Sequence, residues 1–474
     1  MNTKKRILIY TAEKYSLNVQ FFLGKMKKYV QKIVFFGSNQ DFLEYKDIEN
    51  FYASIEDAIN DNKDFDEYII ANDMFYGPFF DMELIFKKME KVSFWSIDDV
   101  FFKNKSFLVF KKDNLDTNPI YCFSNPFDFD INILKNRLPF LHNNFLKQGA
   151  YDFCNLKLKN IYSYLKQNKE YDFDIILQDF ISRNDYKLFN EAFCADYILS
   201  TSTLNDKVKN KSKSAVVMYI YPENLIDYCY EYALNIPKEI DICIVTTELL
   251  IQEKIKKIFK NIKNKIIYRN QQNRGRDNTA LLVTCKDLFC KYDYMCFVHA
   301  KESNQNKITN NEFRNHCFDS LLYNSIYIKN IISEFKKNKK LGIISPYPPE
   351  FAPYRVIGNE WLHNYDNAVE FVKSRLNIDF DLSKDNILCA FGNMFWFRTA
   401  AMTTLLSSNL SFEDFPMEPL DKVDGMLTHT IERIVPTLAK NDGYYSVYSL
   451  PDVKASSYIN VLITSLKETK MEIE

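Results

Sequence analysis

The stretch from Asn264 to Ser303 constrains the fold most, because it holds a strand, a polar turn, a helix of about four turns and a second strand. The two apolar runs, Lys265 to Tyr268 and Tyr294 to Val298, have strand length. A strand, a helix and another strand predict a parallel βαβ unit. In open α/β sheets ligands bind beyond the carboxyl ends of the strands. The residues after these two strands, Arg274 to Asp277 and His299 to Lys301, therefore predict a site for an anionic ligand.

The same alternation of strands and helices extends over most of the chain and predicts an α/β fold in two parts. A segment rich in Ser, Lys and Asn at 200–214 is predicted to be an exposed linker. The predicted organisation is an N-terminal α/β domain over 1–126, a helical connector and linker over 127–214, a C-terminal domain over 215–455 and a tail over 456–474. Within the C-terminal domain we expect one long helix at 311–335 and a strand at 391–398.

The amino-acid composition indicates a globular protein and excludes some classes of partner. The chain is 46% hydrophobic and 26% charged, which is typical of a globular protein, and 474 residues exceed one ordinary core. The formal charge of −1 gives no basic field, so we expect no nucleic-acid partner. The ten cysteines form no CxxC pair and are predicted to be small buried hydrophobes in a reducing compartment.

No apolar run approaches the length of a membrane span, and the first residues enter a strand pattern without a signal-peptide core. We therefore expect a cytoplasmic location. Peripheral association with the inner membrane stays open.

The turn after the first strand of the opening stretch suits a diphosphate. Transfer of a sugar from a nucleoside diphosphate requires a cation that stabilises the leaving diphosphate and a carboxylate that takes the acceptor proton. Two guanidinium groups on a glycine turn supply that cation in the run Asn273, Arg274, Gly275, Arg276 and Asp277. The alternative is a surface turn with an Arg–Asp pair.

The second strand end carries His299 and Lys301, where nucleotide-sugar transferases of the GT-A type carry an Asp-x-Asp metal motif. Lys301 is predicted to replace the metal charge; a solvent-exposed lysine beside a core histidine is the alternative. A further option is an irregular Mn²⁺ or Mg²⁺ site that joins His299, His429 and a carboxylate. Tyr221 and Glu248 follow two earlier strands and complete the predicted nucleotide-binding set.

An acidic loop at 412–425 offers the carboxylate. Asp424 and Asp414 are the predicted catalytic bases and Glu413 is the third candidate, because the neighbouring aromatic residues and prolines would hold the loop half-buried. A solvated loop before a helix is the alternative. Trp361, Arg398 and His429 are predicted to bind the acceptor.

Several motifs occur in one order along the chain and resemble those of the rhamnan synthesis protein F family. They are NRGRD (273–277), YDYMCFVHAKES (292–303), IGNEW (357–361), GNMFWFR (392–398), EDFPMEP (413–419) and DGMLTHTIER (424–433), with NDMFYGPF (72–79), SFWSI (93–97) and SFLVF (106–110) in the N-terminal half. The segment 48–68 lacks the glycine-rich aromatic stretch expected there, so the N-terminal domain is expected to be shortened or inactive.

The resemblance implies a glycosyltransferase with a GT-A-like, Rossmann-type C-terminal domain and a smaller, degenerate N-terminal one; a two-Rossmann GT-B arrangement is the alternative. We further expect transfer from a nucleoside-diphosphate sugar to a lipid-linked capsule, lipopolysaccharide or O-antigen glycan, with inversion, alongside other polysaccharide-synthesis enzymes. The only candidate cofactors predicted from the sequence are the metal ions Mn²⁺ and Mg²⁺. The alternative function is a non-catalytic glycan-binding or scaffolding subunit.

Overall fold

The computed structural model contains two compact units, Met1–Asp179 and Phe180–Glu474. The second unit therefore begins before the predicted linker at 200–214. The structure describes residues 4–12, 16–36, 51–52, 54–72, 82–91, 94–96, 107–112, 196–204, 212–300, 307–349, 361–378, 382, 384, 388–417 and 424–460.

The described part of the first unit is a six-stranded sheet with helices on its faces. Its strands are β1 (Arg6–Thr11), β2 (Lys32–Phe36), β3 (Phe51–Tyr52), β4 (Glu67–Asn72), β5 (Phe94–Ser96) and β6 (Phe107–Lys111). Its helices are α1 (Leu17–Met26), α2 (Ile55–Asn60) and α3 (Met82–Lys88). The strand order is β3-β2-β1-β4-β6-β5, with β1 to β4 parallel and β6 antiparallel to both of its neighbours.

Alternate residues of β1 bury opposite faces of this sheet, as the two-residue period of a strand requires. Leu8 and Tyr10 pack with α1 and α3, whereas Ile7 and Ile9 pack with α2. Because both faces are covered, the strand is a continuous apolar run.

The second unit is an eight-stranded sheet with helices on its faces. Its strands are β7 (Asp196–Leu199), β8 (Ser214–Tyr219), β9 (Asp241–Thr246), β10 (Ile266–Asn270), β11 (Tyr294–His299), β12 (Leu341–Pro346), β13 (Phe395–Arg398) and β14 (Tyr445–Pro451). Its helices are α4 (Ile226–Leu234), α5 (Leu249–Ile258), α6 (Arg276–Thr279), α7 (Lys307–Leu322), α8 (Ser325–Lys337), α9 (Tyr365–Glu370), α10 (Thr403–Ser407) and α11 (Leu427–Asn441). Single π-helical segments at Ala280–Thr284 and Phe371–Leu376 extend α6 and α9.

The strand order of this sheet is β10-β9-β8-β11-β13-β12-β14-β7. The chain moves outward from β8 through β9 to β10 and then crosses back to β11, which pairs with the other side of β8 in parallel. Among the strands described in this sheet, only β13 runs against its neighbours. The carboxyl ends of β8 and β11 thus form a topological switch point, the position where open α/β sheets bind ligands. Ala300 N–H donates to the carbonyl of Tyr219 there at 2.9 Å.

Three predicted elements differ in the structure. The single helix expected at 311–335 is two helices, because the Asn324 side chain caps α8 by accepting from Tyr327 N–H at 2.9 Å. The strand expected at 391–398 begins only at Phe395, since Gly392 and Asn393 have φ values of 69° and 54° and cannot join a ladder. The edge strand β7 lies in the predicted connector, where no strand was expected.

All cysteines in the described ranges are free thiols, and all of them except Cys290 are buried. No helix in the part of the chain that the structure describes has both the length and the apolar character that a membrane span needs.

Candidate functional site

The turn that follows β10 is held in an uncommon backbone conformation. Gly275 and Arg276 are both left-handed, with φ values of 73° and 50°. Thr279 Oγ1 donates to the Arg274 carbonyl at 2.7 Å, and the buried Gln271 amide donates to the Arg276 carbonyl at 3.0 Å. These bonds fix the chain direction so that the next residue, Asp277, lies at the carboxyl edge of the sheet.

The beginning of the acidic loop, 412–417, packs directly on this turn. A Cβ on Gly275 would lie 2.8 Å from the Phe415 ring, so only glycine allows the approach. The Arg274 guanidinium donates to the carbonyls of Phe415 and Glu413 at 2.7 and 2.9 Å. Because these carbonyls take two of its donors, Arg274 joins the turn to the loop. The exposed side chains of Asn273 and Arg276 border the same turn.

His299, at the end of β11, meets a carboxylate and a backbone carbonyl. Its Nε2 atom lies 2.6 Å from the Gly392 carbonyl oxygen and 3.8 Å from Asp277 Oδ2. Asn393 Nδ2 donates to Asp277 Oδ2 at 2.6 Å, and Gly392 N–H donates to Glu432 Oε1 at 2.9 Å. The turn before β13 therefore connects the loop after β10, the end of β11 and helix α11.

Asp424 forms the centre of an adjacent polar group. Its carboxylate accepts from Asn364 Nδ2 at 2.8 Å and lies 3.8 Å from His429 Nδ1 and 3.7 Å from Arg433 Nη2. Burial alone would raise the pKa of Asp424, but the Asn364 hydrogen bond and the Arg433 charge hold it below its usual value. Burial lowers the pKa of His429, although Glu432 and Asp424 oppose that shift. The hydrogen bond from Asn364 and the charge of Arg433 thus stabilise the ionised form of Asp424, which makes this carboxylate a weak base.

Asp414 lies in a capping box at the start of the acidic loop. Its Oδ2 accepts from the backbone N–H and the hydroxyl of Ser411 at 2.8 and 2.9 Å, and Arg375 Nη2 lies 3.0 Å from both carboxylate oxygens. Burial raises the pKa of Asp414, but the Ser411 hydrogen bonds and the Arg375 charge outweigh it and lower the pKa. These contacts give Asp414 a structural part in the loop. The Glu413 side chain is exposed.

Two predicted acceptor residues lie away from the cluster. Arg398 is at the far end of β13, opposite Tyr294, and donates to the carbonyls of Leu341, Phe335 and Asn338. Trp361 is 3% exposed and belongs to the core of the second unit. Since one has its guanidinium committed and the other has no free ring face, we leave both out of the site. His429 lies inside the site.

The remaining predicted residues are placed at strand ends. Tyr221 follows β8, is half-buried and stacks on Tyr219 with ring centroids 5.5 Å apart. Glu248 is exposed at the first turn of α5, after β9. Lys301 lies outside the described residues, as does part of the acidic loop, 418–423.

Several residues of the cluster were not predicted from the sequence: Asn278, Asn364, Gly392, Asn393, Glu432 and Arg433. One local signal was available. His429, Glu432 and Arg433 are spaced i, i+3 and i+4, which places them on one face of α11. Asn278 and Asn393 carry no such signal, because the Asn393 amide reaches Asp277 across 116 residues of sequence.

Within the described ranges, no group of three or more His, Cys, Asp and Glu side chains is arranged to hold a metal ion. The metal options Mn²⁺ and Mg²⁺ therefore stay predictions.

A protein-family profile matches most of the chain. The family profile described as "Rhamnan synthesis protein F" matches residues 101–444. The chain is also 25% identical over 202 residues to the uncharacterized protein WxcX of Xanthomonas campestris pv. campestris (strain B100). That match covers 42% of this chain and 28% of the relative, so the chain spans under a third of the length of WxcX.

The similar solved structures include two that each cover about half of the chain. TarS 1-349 from S. aureus has a TM-score of 0.27 at 13% identity, covering 51% of this chain and 58% of that one. A cytidylyltransferase from Leptospira borgpetersenii serovar Hardjo-bovis has a TM-score of 0.24 at 13% identity, covering 51% and 76%.

Proposed function

Because the chain belongs to the rhamnan synthesis protein F family, we propose that it is a glycosyltransferase of surface-polysaccharide synthesis. It moves a sugar from a nucleoside-diphosphate donor to a growing capsule, O-antigen or related glycan, by direct displacement with inversion. The observation that carries this proposal is the family match over 101–444, which includes the whole polar cluster at the switch point of the second sheet.

The donor lies at the carboxyl ends of β8 to β11 in this proposal. Tyr221, Glu248, Asn273 and Arg276 border that edge and contact the nucleotide and diphosphate, whereas the Asp277 carboxylate faces His299. Lys301, directly after β11 and Ala300, supplies positive charge to the leaving diphosphate, and a bound Mn²⁺ or Mg²⁺ ion is the alternative source.

The acceptor approaches from the side of α11. His429 and Arg433 face the acceptor. The ionised Asp424 carboxylate lies beside both side chains and orients them. The strong hydrogen bonding of Asp424 makes it a poor proton acceptor, and its part is electrostatic.

Thermal stability in the presence of nucleotides tests the donor part of this proposal. The full chain is heated with UDP, GDP, dTDP or CDP, each with and without Mn²⁺, and one of them is expected to raise the melting temperature. A higher melting temperature without metal favours Lys301 as the cation that stabilises the diphosphate. A higher melting temperature only with Mn²⁺ favours the metal ion in that role. The nucleotide that stabilises the chain then selects the sugar donors for a transfer assay with a synthetic glycan acceptor.

The same melting measurement, with the synthetic glycan as a further sample, separates this function from a non-catalytic glycan-binding or scaffolding subunit. Such a subunit would be stabilised by the glycan and by none of the four nucleotides. That outcome would remove the transferase proposal.

A further inference from the structure

His299 is held in one tautomer by its surroundings. Its Nε2 atom faces the Gly392 carbonyl oxygen at 2.6 Å and Asp277 Oδ2 at 3.8 Å. Both of these groups only accept hydrogen bonds, so Nε2 must carry the proton that it donates to Gly392. The neutral ring therefore has its lone pair on Nδ1.

The Nδ1 atom of His299 has no hydrogen-bond partner among the described residues. The side chain is 8% exposed and ends β11, beside the carboxyl end of β8. A buried histidine ring with one nitrogen bonded to the backbone, and with no partner for the other nitrogen in the described ranges, is placed to receive a hydrogen bond from a ligand.

We propose that Nδ1 of His299 accepts the proton of the acceptor hydroxyl during sugar transfer. This inference rests on the proposed function. His299 then acts as the catalytic base in place of the predicted carboxylates of the acidic loop. The hydroxyl oxygen forms a bond to the anomeric carbon of the donor, and the bond from that carbon to the diphosphate oxygen breaks. The electron pair of the broken bond leaves with the diphosphate, and the hydroxyl proton moves to Nδ1.

Charge in the cluster favours this assignment. When Nδ1 gains a proton the ring becomes a cation, and Asp277 Oδ2, 3.8 Å from Nε2, stabilises it directly. Glu432 adds a second carboxylate that holds Gly392, because it accepts the Gly392 N–H at 2.9 Å. Asn393 fixes the Asp277 carboxylate at 2.6 Å, so the negative charge is already oriented before the proton arrives.

The variant His299→Gln tests the role of Nδ1 apart from that of Nε2. The glutamine amide can reach the position of Nε2 and keep the bond to Gly392, but it has no basic atom in place of Nδ1. With the donor nucleotide sugar selected above, we expect kcat to fall by about 100-fold or more while KM for the donor changes little. In His299→Ala, added imidazole should restore part of the lost kcat, because free imidazole can enter the space that the ring leaves.

His316→Gln is the matched control. His316 Nε2 also meets a backbone carbonyl at 2.6 Å, that of Tyr347, but its Nδ1 is already bonded to the Tyr458 hydroxyl at 2.9 Å. His316→Gln makes the same chemical change at another histidine that is bonded to a backbone carbonyl. It should keep kcat within about twofold of the wild type, because His299 still accepts the proton.

A His299→Gln variant that keeps wild-type kcat would overturn the proposal and leave the proposed function standing. If that variant does not fold, Asp277→Asn decides instead, since an amide oxygen still accepts from Asn393 while the charge that stabilises the imidazolium is gone; unchanged kcat in a folded Asp277→Asn would also overturn it. A wild-type chain that binds none of the nucleotides and transfers no sugar would contradict the proposed function itself.

Discussion

Asn393 donates a hydrogen bond of 2.6 Å to Asp277, across 116 residues of sequence, and its left-handed backbone turns the side chain into the cluster. The same amide also reaches Asn278 Oδ1 at 3.2 Å. Asn393 is 3% exposed, so the bond lies inside the protein. One asparagine thus fixes the carboxylate that faces His299.

Asn393→Ala is expected to lower both stability and activity. Loss of the buried bonds should cost about 1–3 kcal/mol of unfolding free energy, because the partners on Asp277 and Asn278 lose their donor. The freed carboxylate should lower kcat more than it raises KM for the donor. Urea unfolding and steady-state kinetics measure the two effects.

Asn377→Ala is the control for this change, since Asn377 is exposed and also left-handed, with φ of 52°. It should show only the backbone cost of about 1 kcal/mol. Equal stability and equal kcat in both variants would contradict the role given to Asn393.

Gly275→Ala should destabilise the second unit strongly. Its φ is 73°, and a Cβ there would lie 2.4 Å from Thr279 Cγ2 and 2.8 Å from the Phe415 ring. Gly443→Ala shares the backbone strain, with φ of 77°, but its Cβ would meet its nearest atom at 3.8 Å. We expect Gly443→Ala to cost about 1–2 kcal/mol and Gly275→Ala a further ~1–3 kcal/mol in urea unfolding. Similar losses in the two variants would mean that the loop at 412–417 does not need the close approach.

Asp414→Asn tests the structural role of the capping box. We expect kcat to stay within about twofold of the wild type, which a general base would not allow. Stability should fall by about 1 kcal/mol at neutral pH, because the cap and a partly exposed ion pair are weakened. A loss of kcat by 100-fold in a stable protein would return Asp414 to the catalytic site.

The stability difference between wild type and Asp414→Asn should depend on pH. The folded-state pKa of Asp414 is lowered from 3.8, so its stabilising contribution is present above that value and is lost as the pH falls through the lower folded-state value. Urea unfolding at a series of pH values from neutral to acid measures this. A difference that grows toward acid pH would have the wrong sign.

Asp424→Asn should reduce turnover without weakening nucleotide binding. The amide can still accept from Asn364, but it no longer faces His429 and Arg433 with a negative charge. We expect kcat to fall about 10-fold or more and the nucleotide-induced rise in melting temperature to persist. Retained turnover would remove Asp424 from the mechanism.

The local elements followed closely from the sequence. The strands β10 and β11 were predicted within two residues at each end, because apolar periodicity and turn residues act over short distances. The predicted site turn after β10 and the histidine at the end of β11 also lie at one sheet edge, as parallel pairing requires. Asn324 shows where local patterns failed: it has the side chain of a helix cap, yet the apolar positions around it continue across the break.

The sequence by itself determined that an α/β domain places His299 and the turn with Arg274 at the carboxyl edge of a sheet. Only the tertiary structure decided what each residue there contacts. The Arg274 guanidinium bonds the loop at 412–417, and His299 meets Gly392 across 93 residues of sequence. Such contacts depend on strand order and on the left-handed turn before β13, which bring distant segments within hydrogen-bond distance. No periodicity encodes them, because a hydrogen bond is set by positions in space and not by spacing along the chain.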